Sequence, residues 1–128
     1  MSLKKIITSD KAPAALGPYS TAVAFNNLVF TSGQLGINPQ TNEVAGESVE
    51  AQTRQALMNL AGILEDAGTS LDNVIKTTVF LRDMNEFAAM NAIYAEFFKE
   101  NCPARSAVQV AKLPRGLAFE IEAIAALP

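Results

Sequence analysis

Short stretches of the chain alternate apolar and polar residues, which is the pattern of strands whose two faces meet different surroundings. Residues 22–25 and 28–31 flank Asn26-Asn27, a pair that tolerates the left-handed backbone of a tight turn, and together they predict a β-hairpin. Residues 74–81 predict a further strand. Its alternation places four side chains on one face: Ile75, Thr77, Val79 and Leu81.

Two longer stretches repeat their apolar residues at helical spacing. Ser48 is a favourable N-cap for the first helix, which has Glu50 in its first turn and is expected to run to about Ala67, where Gly68 ends it. The expected buried stripe of this helix comprises Leu57, Leu60, Ile63, Leu64 and Ala67.

The second helix is predicted to start where Asp83 and Glu86 have the spacing of a capping box. It is expected to end near Glu100, because Asn101 and Pro103 follow at once. Its predicted buried residues are Phe87, Met90, Tyr94 and Phe97.

Two final strands, at about 106–111 and 118–126, surround a Pro-Arg-Gly turn at 114–116 and look like a hairpin, whereas residues 34–47 predict a loop. The order β-β-β-α-β-α-β-β predicts an α+β fold with one mixed six-stranded sheet. Because strands separated by helices favour parallel crossovers, both helices should cover one face of the sheet. The other face also carries apolar residues, so it needs a cover, and a second subunit is the simplest one.

Length and composition are those of one globular domain, spanning residues 1–128. Hydrophobic residues make up 49% of the chain and charged residues 18%, which argues against disorder. No apolar run approaches the roughly 20 residues that span a bilayer. The first residues lead into Ile6-Ile7 without the apolar core of a signal peptide, so we expect a cytoplasmic protein that does not contact the membrane.

The charged and metal-binding residues exclude several function classes. Net charge is -3, and the ten basic residues are scattered, so no electrostatic footprint for nucleic acid exists. Cys102 is the single cysteine and histidine is absent, which removes Ser-His-Asp triads, Cys-His dyads and the usual zinc sites. We therefore expect no metal and no cofactor, and we regard Cys102 as structural.

Arg105 is the first candidate for a binding residue. It follows Pro103 and opens the apolar strand Ala107-Val108-Gln109-Val110. A guanidinium group fits a carboxylate ligand through two parallel hydrogen bonds. Most arginines, however, are simply solvated, and position alone supports both interpretations equally.

Glu120 and Glu122 share one face of the last predicted strand. The pattern favours a solvent-facing edge, with Ile121 and Ala123 turned inward. That interpretation weakens because Ile124 lies on the same face as the glutamates. A carboxylate on such a strand can serve as a general base.

Three further motifs are weak one by one. The turn Gly17-Pro18-Tyr19-Ser20 could present the Tyr19 hydroxyl to a ligand. In Thr31-Ser32-Gly33-Gln34 the glycine lets backbone N–H groups approach an anion. Asn91 lies beside the apolar stripe of the second helix, where an asparagine is either exposed or lines a pocket.

Taken in order, the motifs resemble the RidA (YjgF) family of reactive-intermediate deaminases over essentially the whole chain. They are Gly17-Pro18-Tyr19-Ser20, Thr31-Ser32-Gly33-Gln34, Lys76-Thr77-Thr78-Val79-Phe80-Leu81, Met90-Asn91, Pro103-Ala104-Arg105-Ser106, and the segment from Leu113-Pro114 to Glu120-Ile121-Glu122-Ala123-Ile124. The resemblance implies a chorismate-mutase-like fold. It also implies a homotrimer with a barrel-like centre and ligand pockets between subunits, and a last strand that lies beside the strand ending at Ser32-Gly33.

The activity that the resemblance implies is hydrolysis of 2-imino acids, or their enamine tautomers, to 2-oxo acids and ammonia. These imines are released by pyridoxal-phosphate-dependent serine and threonine dehydratases. By matching motifs, Arg105 would bind the substrate carboxylate and Glu120 would activate the attacking water. Tyr19, Ser32, Gly33, Asn91 and Ala107 would shape the pocket. The alternative is a protein that binds or senses 2-oxo acids at the same pocket without turnover.

Two features depart from the family pattern. Many bacterial members carry Cys two residues after the binding arginine, where this chain has Ala107. Since the pocket is thought to use the backbone of that residue, we expect activity to survive. The segment between the second helix and Pro103 is also short, which is expected to reshape the rim of the pocket.

Overall fold

The computed structural model describes residues 3–128 and shows a mixed α+β fold built on a single seven-stranded sheet. The strands are β1 (Lys5–Ile7), β2 (Ala22–Phe25), β3 (Leu28–Thr31), β4 (Gln34–Leu35), β5 (Val74–Leu81), β6 (Ala104–Gln109) and β7 (Phe119–Ala126). The helices are α1 (Val49–Ala67) and α2 (Phe87–Phe97), and three single 3-10 turns occupy 71–73, 84–86 and 114–116. No helix within residues 3–128 is long and apolar enough to cross a membrane.

The spatial order of the strands is β1-β2-β3-β7-β5-β6, with β4 also beside β7. Only β5 and β6 run parallel, and every other pair is antiparallel. The hairpin over 22–31 and the parallel crossover through α2 are confirmed. The hairpin between the last two strands is wrong, because β5 lies between β6 and β7. The position beside β3 that the family resemblance implied for the last strand is confirmed.

The observed sheet has seven strands, one more than the six that the sequence predicts. Gln34 and Leu35 pair with Ile121 and Glu120 of β7, in the region that the sequence assigned to a loop. Two residues are too few to show alternation, so their strand depends on a partner far along the chain. Gly36 then allows the chain to touch α1, since a Cβ there would lie 2.5 Å from the Cα of Gln52.

The first helix matches its prediction closely. The Ser48 side chain accepts a hydrogen bond from the Ala51 N–H, and Gly68 adopts φ 93°, the left-handed conformation that ends helices. Four residues of the expected stripe are fully buried against the sheet, namely Leu57, Leu60, Ile63 and Leu64. The fifth, Ala67, is partly buried.

The second helix differs at both ends. Asp83 accepts from the Asn85 N–H and caps a single 3-10 turn, whereas Glu86 forms an ion pair with Arg82 at 2.9 Å instead of completing a capping box. The helix ends at Phe97, three residues before Glu100. Met90 and Tyr94 are buried as expected, while Phe87 and Phe97 are only partly buried.

The two faces of the sheet have different surroundings. On β7, Phe119, Ile121 and Ala123 are buried beneath the helices, and the residues between them point to the other face. That face exposes large apolar side chains, namely Ile6, Phe25, Phe30 and Val108. The open apolar face is therefore confirmed.

Ile75 does not lie with the buried side chains of β5. The register between β5 and β7 shifts between Val74 and Lys76, which marks a β-bulge. Val74, Thr77, Val79 and Leu81 are buried, and Ile75 is left 49% exposed. The alternation of the sequence alone places Ile75 on the wrong face because it cannot reveal the bulge.

We predict that Gln52→Leu lowers the free energy of unfolding by about 2 kcal/mol, because it leaves buried backbone groups without partners. The Gln52 amide donates to Gly46 O at 2.9 Å and accepts from the Ala118 N–H at 2.7 Å, joining α1 to the start of β7. Urea unfolding followed by circular dichroism measures the change.

Gln55→Leu is the matched control on the same helix. Gln55 is partly exposed and donates a single hydrogen bond, to the Asn59 side chain, whereas Gln52 bonds to two backbone groups, so the loss should be smaller, about 1 kcal/mol. Equal losses in the two variants would contradict the role assigned to Gln52.

Candidate functional site

Arg105 lies on β6 and faces α2. Its Nη1 donates to Asn91 Oδ1 at 2.7 Å, and its guanidinium carbon lies 4.6 Å from the Tyr94 ring centroid and 5.4 Å from that of Phe87. Phe87, Asn91 and Tyr94 are spaced four and three residues apart, so they share one face of the helix. Hydrogen bonding and cation–π attraction thus fix the guanidinium from one side.

Tyr94 is itself held in place. Its hydroxyl hydrogen-bonds to Thr77 Oγ1 at 2.8 Å in the buried interior, and Thr77 is the residue paired with Arg105 across β5 and β6. Burial is the main cause that raises the pKa of Tyr94, so the phenol stays neutral at physiological pH. The ring therefore offers Arg105 a rigid and uncharged surface.

The outer side of Arg105 opens into a cavity of about 380 Å³. Its other walls are Asn91, Tyr94, Ala95, Phe98, Cys102 and Pro103. Among residues 3–128, no carboxylate forms an ion pair with Arg105. A fixed cation with free donors beside a small cavity is suited to bind a carboxylate.

Two residues at or near this cavity offer few groups that could bind a ligand. Cys102 donates a weak hydrogen bond from its thiol to Phe98 O at 3.3 Å. Ala107 is partly buried on the same strand face as Arg105 and pairs with Val79. Its methyl group adds no polar atom, so only its backbone can hydrogen-bond to a ligand.

Glu120 points to the opposite face of the sheet from Arg105. It pairs with Phe80 and Leu35, whereas Arg105 shares its face with Thr77 and the helices. A Cβ at Gly33 would lie 2.5 Å from a Glu120 carboxylate oxygen, so the carboxylate lies against the Gly33 backbone. Glycine at position 33 permits this close contact, because a larger residue would displace the end of the Glu120 side chain.

Burial raises the pKa of Glu120, and repulsion by Glu122 raises it further. No cation among residues 3–128 forms an ion pair with this carboxylate to offset the two effects. A carboxylate with a raised pKa is a stronger base than an exposed one, which suits it to remove a proton from water. Glu122, the more exposed of the two, acts on its neighbour through charge.

Hydrogen bonds connect the loop that contains Tyr19 to the end of β3. Ser32 Oγ donates to Ser20 O at 2.5 Å, and the Ser32 N–H donates to Thr21 O at 2.9 Å. Gly17, at φ 145°, lets the chain turn before Tyr19. The Tyr19 ring is 55% exposed and lines a cavity together with Gly33.

The candidate residues form two groups on opposite faces of the sheet. Arg105, Asn91 and Ala107 belong to the helix-facing group, and the second group contains Tyr19, Ser32, Gly33 and Glu120. Within one chain they do not form a single pocket. Within residues 3–128, no cluster of three or more His, Cys, Asp or Glu side chains could hold a metal ion.

Sequence reasoning missed the residues that support Arg105. Phe87 and Tyr94 were assigned to the core, and Thr77 to the buried face of its strand. The spacing of Phe87, Asn91 and Tyr94 on one helix face was the signal available. It does not show which strand faces that helix surface.

Comparison with known proteins agrees with this architecture. The family model described as Endoribonuclease L-PSP matches residues 9–127. A RutC family protein of Synechocystis is 52% identical over 126 residues, covering 97% of each chain. The mouse protein named 2-iminobutanoate/2-iminopropanoate deaminase is 49% identical over 123 residues, covering 96% of this chain and 91% of its own.

A solved structure shares both fold and sequence. The crystal structure of Escherichia coli TdcF with bound serine superimposes with a TM-score of 0.92 at 46% identity, covering 97% of this chain and 99% of that one. The match extends over nearly the whole of both chains. The chain therefore belongs to the endoribonuclease L-PSP family, the RidA (YjgF) group that its motifs resemble.

Proposed function

We propose that the protein hydrolyses 2-imino acids, such as 2-iminobutanoate and 2-iminopropanoate, to 2-oxo acids and ammonia. The observation that carries the proposal is Arg105, a fixed guanidinium with free donors beside a cavity of about 380 Å³. The names of the mouse relative and of the Arabidopsis relative, Reactive Intermediate Deaminase A, support the same reaction class.

In this proposal Arg105 binds the substrate carboxylate through two hydrogen bonds. Asn91 occupies one Nη1 donor, and the rings of Tyr94 and Phe87 prevent the guanidinium from rotating. Preorganisation of this kind reduces the entropy lost on binding. It fixes the imine carbon at a constant distance from the reacting water.

Glu120 is the proposed general base. It removes a proton from a water molecule as the water oxygen attacks the protonated imine carbon, and the carbon–nitrogen double bond becomes single. Glu120 then returns this proton to the nitrogen of the tetrahedral intermediate. As ammonia leaves with the electrons of the carbon–nitrogen bond, the Glu120 carboxylate takes the proton of the hydroxyl group, and the carbon–oxygen double bond of the 2-oxo acid forms. Because a protonated imine is already electrophilic, one positioned base is sufficient.

Two subunits are needed to complete the proposed site, since Arg105 and Glu120 lie on opposite faces of one sheet. We infer a homotrimer in which Arg105 of one subunit meets Tyr19, Gly33 and Glu120 of the next. The open apolar sheet face supports this assembly, because it needs a cover. The substrates would come from pyridoxal-phosphate-dependent serine and threonine dehydratases, and the reaction would use no cofactor.

Arg105→Ala should lower kcat/KM for imine hydrolysis roughly 100-fold, because two charged hydrogen bonds to the carboxylate are lost. A threonine dehydratase supplies the imine, and release of 2-oxobutanoate is followed. Arg105→Lys keeps the charge without the planar pair of donors, so it should recover only part of the rate. Wild-type turnover by Arg105→Ala would refute the assignment.

Mixing two inactive variants tests whether the site is shared. Arg105→Ala and Glu120→Gln chains, unfolded together in equal amounts and refolded, should regain about a quarter of wild-type activity, since random assembly pairs an intact Arg105 with an intact Glu120 at one site in four. Each variant refolded alone is the control. No recovery in well-folded mixed oligomers would place both residues in one subunit's site.

Glu122→Gln should move the acidic limb of the kcat/KM–pH profile to lower pH. The pKa of Glu120 is raised by burial and then by Glu122, so removing the second charge lowers that pKa and keeps the base ionised in more acidic solution. The rate of imine hydrolysis measured from pH 4 to 8 checks the shift. Glu100→Gln, on an exposed segment, is the control. An unchanged profile in Glu122→Gln would exclude Glu120 as the titrating base.

The second candidate function is binding of 2-oxo or amino acids without turnover. The bound serine in the TdcF structure favours it, because a carboxylate-bearing amino acid is held there. Both functions need Arg105, and only hydrolysis needs Glu120. Tight binding of 2-oxobutanoate by a wild-type protein that leaves imines unchanged would favour this candidate.

A further inference from the structure

Residues 8–12, which we name the docking segment, pack against the side of α1. Ala12 is 3% exposed and belongs to the hydrophobic core. Next to it, Lys11 approaches the helix so closely that a Cβ at Gly62 would lie 2.5 Å from Lys11 Cβ and 3.3 Å from Lys11 O. Two carbon atoms that are not bonded to each other do not approach to 2.5 Å. The docking segment can therefore occupy this position only because residue 62 has no side chain.

The backbone of α1 does not explain glycine at position 62. The helix extends from Val49 to Ala67, so Gly62 lies inside it, where glycine is the least favourable residue other than proline. Its φ is not positive, so an alanine could adopt the same backbone conformation. The close approach of Lys11 is the contact that accounts for glycine at this position.

Charged side chains add to the contact between the docking segment and α1. Lys11 Nζ lies 2.8 Å from Glu65 Oε1 and 3.1 Å from Asp66 Oδ1. Ser9 Oγ donates to Asp66 Oδ2 at 2.6 Å and accepts from the Lys11 N–H at 3.1 Å. The Lys11 and Glu65 side chains are 44% and 73% exposed, and exposed ion pairs contribute little to stability. The packing at Gly62 is therefore the stronger part of the contact.

The Tyr19 loop, residues 13–19, follows the docking segment directly. Within the part of the chain that the structure describes, no hydrogen bond joins this loop to another element, and the Tyr19 N–H donates inside the loop, to Gly17 O at 2.9 Å. Beyond the loop, the hydrogen bonds of Ser32 fix the chain to the end of β3. The position of Tyr19 therefore depends on how the two ends of the loop are held.

We propose that Gly62 and Lys11 are positioning residues for the imine site. Their contact fixes the first end of the Tyr19 loop and so holds the Tyr19 side chain in one place beside the substrate. The inference rests on the proposed function, in which Tyr19 borders the site. Gly62 and Lys11 line neither the cavity beside Arg105 nor the cavity beside Tyr19, so they act through the loop.

Kinetics of imine hydrolysis in two backgrounds test this role. Gly62→Ala should raise KM roughly fivefold and leave kcat nearly unchanged, because the displaced loop loses the Tyr19 contact to substrate while Arg105 and Glu120 stay in place. In a chain that carries Tyr19→Ala, the same change should have less than about a twofold further effect, since the contact is already absent. Equal factors in both backgrounds would show that Gly62 acts on another part of the site and would overturn the proposal.

A second variant restores the contact in a different way. Combining Gly62→Ala with Lys11→Gly moves the Cβ from one side of the contact to the other, so most of the lost kcat/KM should return. Lys11→Ala is the matched control, because it keeps the Cβ and removes only exposed ion pairs, and its KM should change less than about twofold. Circular dichroism confirms that each variant is folded, which alanine inside a helix favours. No recovery in the folded double variant would contradict the role of this contact.

Fluorescence reports the position of the loop without any turnover. The chain has no tryptophan and two tyrosines, so in a Tyr94→Phe background Tyr19 is the emitting residue. Gly62→Ala should lower the fluorescence anisotropy of Tyr19, and Lys11→Gly added to it should restore the anisotropy. Unchanged anisotropy in folded Gly62→Ala would overturn the positioning role. A lowered anisotropy in a protein that hydrolyses no imine would support that role and refute the proposed reaction instead.

Discussion

The central position of β7 determines most of this structure. The strand pairs with β3, β4 and β5, and its strict alternation gives the sheet one face for the helices and another for Glu120 and Glu122. A shift of its register by one residue would bury both carboxylates under α1 and expose Phe119 and Ile121. The desolvation of two unpaired charges makes that arrangement prohibitive. The location of the candidate base is thus fixed by the same pattern that forms the core.

Local signals in the sequence were sufficient for the elements with strong caps or turns. Ser48 and Gly68 determine both ends of α1, and Asn26, at φ 54°, provides the turn of the hairpin between β2 and β3. The position of the last strand could not be predicted from such local signals, because the sequence pattern alone favoured a hairpin between the last two strands. Only the family resemblance placed β7 beside β3.

The errors arose where distant residues decide the local conformation. Gln34 and Leu35 form a strand because β7 offers them partners, and Ile75 is exposed because the register against β7 shifts there. The contacts of the aromatic residues around Arg105 also depend on residues that are distant in the sequence. Helical spacing shows that Phe87 and Tyr94 share a face with Asn91, but packing decides that a guanidinium, rather than another apolar group, lies against them.

The sheet also separates the two groups of candidate residues. Because a layer of backbone lies between Arg105 and Glu120, a substitution beside one of them leaves the other's contacts intact. In evolutionary terms, the proposed carboxylate pocket and the surface that carries the proposed base can vary independently within one gene. In the proposed homotrimer, selection would couple them only through the contacts between subunits. Positions on the two faces that change together across homologues would therefore mark contacts between subunits of that homotrimer rather than contacts within one subunit.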